Sequence, residues 1–108
     1  MIFTHSKHYL QLDHQTVYES TLRAVHDMRT TILCYESPSV IVQFVPVYFI
    51  AVCGYVDVKI EAIRKQWDQH KKPYMNPDLI RGKMNFRGNQ AKIDYAEGFE
   101  VVRMVSKI

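Results

Sequence analysis

The sequence predicts an α+β fold: one mainly antiparallel β-sheet covered on one face by two α-helices. Three observations lead there. Apolar residues near the N-terminus recur at spacings of three and four, which marks a helix, and β-branched and aromatic runs fill the middle of the chain. Strand-like segments also outnumber helical ones and do not alternate with them regularly, which favours α+β over α/β. The length of 108 residues suits a single domain, 1–108. An apolar fraction of 47% with 23% charged residues is ordinary for a globular chain and excludes disorder as a description of the whole.

Ile2 to Leu12 mixes β-formers with polar residues and reads as an edge strand. Asp13 then reads as an N-cap opening a helix from His14 to about Arg29. Tyr18, Leu22, Val25, Met28 and Ile32 form its apolar face. Thr30 to Tyr35 suits a strand, and Ser37-Pro38-Ser39 a turn. Val40–Val45 and Val47–Val52 follow as apolar strands divided by Pro46, which belongs at an edge, a bulge or a strand start. Gly54 marks a bend, and Tyr55 to Val58 returns to strand composition. A second helix is expected from Ile60 to Pro73, with Ile60, Ile63 and Trp67 on its inward face and Trp67 as the buried anchor. Pro73 to Gly82 reads as a loop with a turn at Asn76-Pro77-Asp78. Lys83–Arg87, Ala91–Tyr95 and Phe99–Val105 read as closing strands, the last two as a hairpin.

Val40 to Val58 is the most unusual stretch, 19 residues with few polar interruptions. That is about the length of a membrane-spanning helix. Its β-branched and aromatic composition, the interior Pro46 and the late Asp57 favour buried strands instead, and no membrane association. Continuous apolar strands are buried on both faces. Two helices cover one face, so the other calls for a second copy. The expected partner is therefore a homodimer mate, met through Val40, Val42, Phe44, Tyr48, Ile50 and Tyr55.

Charge is uneven. Residues 63–92 hold eight basic residues against two acidic ones, a net of +6, which leaves −3 for the rest of a chain whose net charge is +3. Such asymmetry hints at an anionic partner. The cations are Arg64, Lys65, Lys71, Lys72, Arg81, Lys83, Arg87 and Lys92, interleaved with Tyr74, Phe86 and Tyr95. They could follow a nucleic-acid backbone, but they match neither a phosphate-binding loop nor the base-stacking strand pattern. A solvated basic face explains them as well.

No pattern calls for a metal or cofactor. His5 and His8 fall on opposite faces of a strand, and His5, His8 and His14 match no zinc spacing. His26-Asp27 and His70 could serve acid–base chemistry, and Tyr35, Tyr48 and Tyr55 could line a pocket. No nucleophile signature accompanies them, so a non-enzymatic role is preferred. Cys34 and Cys53 sit in apolar runs, and the N-terminus lacks an apolar leader, so a reducing, cytoplasmic setting is expected.

Overall fold

The computed structural model describes residues 1–8, 11–37, 43–70 and 76–106, with 66–70 described by backbone alone. In chain order the elements are β1 (Ile2–His5), α1 (Leu12–Ala24), β2 (Ile32–Tyr35), β3 (Tyr48–Ala51), a 3-10 turn (Cys53–Tyr55), α2 (Val56–His70), α3 (Pro77–Gln90) and β4 (Ala96–Arg103). The fold is α+β, with a four-stranded sheet in the order β1-β2-β4-β3. Residues gather into two compact units, Met1–Tyr48 with Gly98–Ile108, and Phe49–Glu97.

In the first unit β1 and β2 pair in parallel, with Ile2 opposite Ile32 and His5 opposite Tyr35. Parallel neighbours need a crossover, which α1 supplies. β4 pairs antiparallel to β2, so the sheet is mixed rather than mainly antiparallel. Thr4, Cys34 and Glu100 align across the three strands. Thr4 faces α1, since its hydroxyl lies 3.0 Å from that of Thr21. Leu33 and Cys34 are fully enclosed, with Ile32, Val25, Phe44 and Phe99 buried as well. Burying one such Leu side chain stabilises by about 1.5–3 kcal/mol.

Of the expected apolar face only Tyr18 and Leu22 lie in α1, both half-buried, because the helix runs from Leu12 to Ala24 rather than His14 to Arg29; Val25 is its buried C-cap, Met28 is exposed beyond it and Ile32 belongs to β2. Gln11 holds the N-cap position, while Asp13 sits in the first turn and accepts from the His14 amide at 3.0 Å. The far end is closed from a distance. The Arg103 guanidinium donates to the carbonyls of Val25, Met28 and Thr30 at 3.2, 2.6 and 3.0 Å. These are carbonyls that the end of a helix and the turn after it leave unmet.

In the second unit Val56, Ile80 and Met84 form a core, with Val52, Ile60, Ile63 and Tyr95 against it. Val56 overturns the strand expected over Tyr55–Val58. Its β preference yields to burial, and α2 starts there. The largest correction is α3, where the sequence suggested a loop followed by a strand over Lys83–Arg87. Asn76 caps the helix by accepting from the Asp78 amide at 2.8 Å, and Pro77 takes the first helical position. Ile80, Met84 and Gly88, spaced by four, are its buried face. A Cβ on Gly88 would stand 2.6 Å from the carbonyl oxygens of Ile93 and Asp94. Beyond the helix the chain turns back, with the Ile93 amide bonded to Gly88 O at 2.9 Å and Lys92 at φ 64°. Residues 91–95 are therefore turn, and no hairpin forms with the final strand. Of the apolar run, residues 43–47 are irregular and only Tyr48–Ala51 is strand. Val40, Val42, Lys71, Lys72, Tyr74 and the side chains of Trp67 and His70 lie outside the described residues.

Candidate functional site

The parallel β1–α1–β2 unit brings two strand ends together, and His5 and Tyr35 are register partners there. Carboxyl ends of parallel strands are the usual place for a ligand in open sheets. The Tyr35 hydroxyl lies 3.0 Å from His5 Nδ1 and 3.1 Å from Nε2. The His14 ring, two residues into α1, stacks on His5 at 4.1 Å and 9°. Burial, reinforced by the neighbouring His14 and opposed by Asp13, pushes the His5 pKa down. Burial raises the Tyr35 hydroxyl, with Cys34 adding to it.

Beside this stack lies a second polar group. Glu100 on β4 accepts from the Ser6 hydroxyl, and its other oxygen lies 2.9 Å from His8 Nδ1 and 3.2 Å from the Val45 amide. The Ser6 hydroxyl oxygen also accepts from the His8 amide at 3.0 Å. Ser, His and Glu together suggest a hydrolytic triad, but the wiring is different. In a triad the carboxylate holds one imidazole nitrogen and the serine oxygen faces the other. Here the Ser6 hydroxyl donates its hydrogen bond to Glu100 directly, and Ser6 is completely buried. The arrangement fastens residues 6–8 and 45 onto β4. Cys34, next to it, is pushed up to about 12 by burial, with Glu100 adding to the rise, so it stays a thiol. Among the described residues no cluster of His, Cys, Asp and Glu could hold a metal ion.

A groove of about 330 Å³ in the same unit is lined by Leu22, Val25, His26, Ile32, Val102 and Arg103. The Arg103 guanidinium on its wall is engaged with three backbone carbonyls. His26 and Asp27 do meet, at 3.3 Å, but both are well exposed. Tyr35, Tyr48 and Tyr55 do not line the groove.

The basic residues of the second unit divide by role. Arg64 pairs with Glu61 on α2, and Arg81 on α3 reaches Asp57 on α2 at 3.1 Å. The bond to Asp57 raises the Arg81 pKa further. Lys65 and Lys92 are exposed, whereas Lys83 and Arg87 are half-buried on α3. The Arg87 guanidinium carbon lies 5.4 Å from the centre of the exposed Phe86 ring. Of the expected interface residues, Phe44 is buried within its own chain, Tyr48 and Ile50 are half-buried in β3, and Tyr55 is exposed.

Ser6 and Glu100 were invisible as a pair because 94 positions separate them. Leu79, exposed two turns from Phe86 on α3, was missed because that segment did not read as helix.

The chain is thus a mixed α+β protein whose polar cluster is engaged internally. No family model, no curated protein and no solved structure matches it. Among the described residues no helix is long and apolar enough to cross a membrane.

Proposed function

We propose that this chain is a small, non-enzymatic binding protein that acts as a homodimer in the cytoplasm. The observation that carries the reading is the position of β3 at an edge of the described sheet. Edge strands present unpaired backbone groups, and proteins that keep them apart place charges or prolines along them. β3 reads Tyr48-Phe49-Ile50-Ala51, with no charge and no proline inside it. Val45 and Val47, just before it, are well exposed. Two copies of one strand paired antiparallel about a two-fold axis make a self-complementary contact. The internal engagement of Ser6, His8 and Glu100 supports a non-catalytic role. The exposed free thiol of Cys53 is at home in a reducing compartment.

Light scattering at micromolar concentration tests the dimer, together with Ala51→Lys, which puts a charge at the exposed end of β3. The expected result is a dimer for the native chain and a monomer of unchanged fold for Ala51→Lys. A native chain that is monomeric throughout would overturn the reading.

A further inference from the structure

We propose that the outer face of α3 docks into the major groove of duplex DNA. The inference is independent of the dimer, which light scattering reads separately.

The face follows from helix geometry, at 100° per residue. Ile80, Met84 and Gly88 point into the core. Leu79, Gly82, Phe86 and Asn89 therefore project on the opposite side, all four exposed. Lys83 lies about 80° from the centre of this face and Arg87 on the same flank lies deeper, while Arg81 on the other flank is bonded to Asp57. The sole acidic residue of α3 is Asp78, in its first turn. A cationic flank beside an exposed strip suits a helix whose flank meets a phosphate backbone while the strip turns to the bases. The exposed Phe86 ring, and Asn89 and Gln90 at the helix end, supply groups that contact base edges and thymine methyls.

Gly82 is the second, independent observation. Glycine in a helix interior is destabilising. Packing inside the protein does not require it, because a Cβ there would meet nothing within 4 Å. A missing side chain on the outer face instead serves a partner that approaches the backbone closely.

Charge selects the partner. Residues 49–97 carry nine basic and six acidic residues, which equals the whole chain's net charge of +3. Two of the nine, Lys71 and Lys72, belong to the sequence between α2 and α3, which has no acidic residue. Against a second copy, α3 would meet its own excess of positive charge. An acidic protein helix suits the cationic flank, yet Leu79 and Phe86 alone give little apolar area, and stable protein interfaces bury about 800 Å² per partner. Phosphate neutralisation needs no such area. The DNA major groove, about 12 Å wide, admits an α-helix, whereas the deep, narrow groove of A-form RNA does not.

The test is fluorescence anisotropy with a labelled mixed-sequence DNA duplex, an RNA duplex of the same sequence, and an acidic amphipathic peptide. DNA binding is expected at low salt. It should weaken roughly 12-fold between ~50 and ~200 mM salt if Lys83 and Arg87 each neutralise one phosphate. Gly82→Leu should fold with undiminished thermal stability, since its site is open, yet bind DNA at least about tenfold more weakly. The pair Lys83→Ala and Arg87→Ala should flatten the salt dependence. Absence of DNA binding at low salt overturns the proposal. So does binding that Gly82→Leu leaves unchanged, RNA binding of equal strength, or a Gly82-sensitive complex formed only with the acidic peptide.

Discussion

Two glycines six residues apart in α3 make the same substitution act in opposite directions. Gly88→Ala gains about 1 kcal/mol of helix propensity. Its new methyl, however, stands 2.6 Å from two backbone carbonyl oxygens, those of Ile93 and Asp94. Overpacking of this kind costs about 1–3 kcal/mol. The obstacle is backbone, so relief means lifting the 93–94 turn. That turn is held by the Ile93 amide on Gly88 O at 2.9 Å and by Asn85 Nδ2 on Asp94 O at 3.1 Å. Each such bond contributes about 1 kcal/mol. The net expectation is a destabilisation of about 2 kcal/mol for Gly88→Ala. Gly82→Ala meets no atom within 4 Å, so the propensity gain of about 1 kcal/mol survives intact. At ~5 °C per kcal/mol for a domain of this size, the melting temperature should fall about 10 °C for Gly88→Ala and rise about 5 °C for Gly82→Ala. Thermal denaturation followed by circular dichroism measures both. A Gly88→Ala variant as stable as the native chain would refute the close approach of turn to helix.

Three other outcomes follow from the first unit. Glu100→Gln should destabilise by about 2–3 kcal/mol in urea denaturation, because the new amide group faces the Ser6, His8 and Val45 donors that the carboxylate accepted; unchanged stability would deny Glu100 its fastening role. In the folded protein a thiol reagent at neutral pH should modify Cys53 alone, and Cys34 only after unfolding, because one is exposed and the other buried with its pKa at about 12. The folded-state pKa of His5 lies below its usual 6.5, so protonation favours the unfolded chain. Its contribution is present above pH 6.5 and is lost as pH falls through the lower folded value; urea midpoints between about pH 7.5 and about pH 5.5 should drop less for His5→Asn than for the native chain.

The sequence made the mixed class and α1 legible because both rest on local periodicity. Tyr18 and Leu22, four residues apart, lie on one side of a helix whatever surrounds them. Tyr55–Val58 misled for the converse reason: β-branched residues state a preference worth tenths of a kcal/mol, and burying Val56 outweighs it. α3 was hidden by its own composition. Gly82 and Gly88 read as breakers, and Asn76-Pro77-Asp78 fits a turn as well as a helix start. The spacing of Ile80, Met84 and Gly88 was the available signal, with a glycine where an apolar residue would have completed it. The parallel pairing of β1 with β2 and the Ser6–Glu100 bond rest on tertiary contacts that no local window contains. His5 and His8 were expected on opposite faces of one strand. They do diverge, but because β1 ends at His5 and His8 lies past it, bonded to Glu100.

The strand order has a consequence for how the chain is made. β4 lies between β2 and β3, yet it is the last of the four to be synthesised. Ile32 pairs with Arg103 across most of the chain's length. A ribosome that has completed α3 has released β2 and β3 with the strand that joins them still missing, and both leave apolar edges uncovered. At ~5–20 residues per second that interval lasts on the order of a second, long enough for unpaired edges to find the wrong neighbour. Folding of the sheet is therefore governed by the arrival of residues 96–103, and a nascent chain stalled before them would be the form most in need of a chaperone.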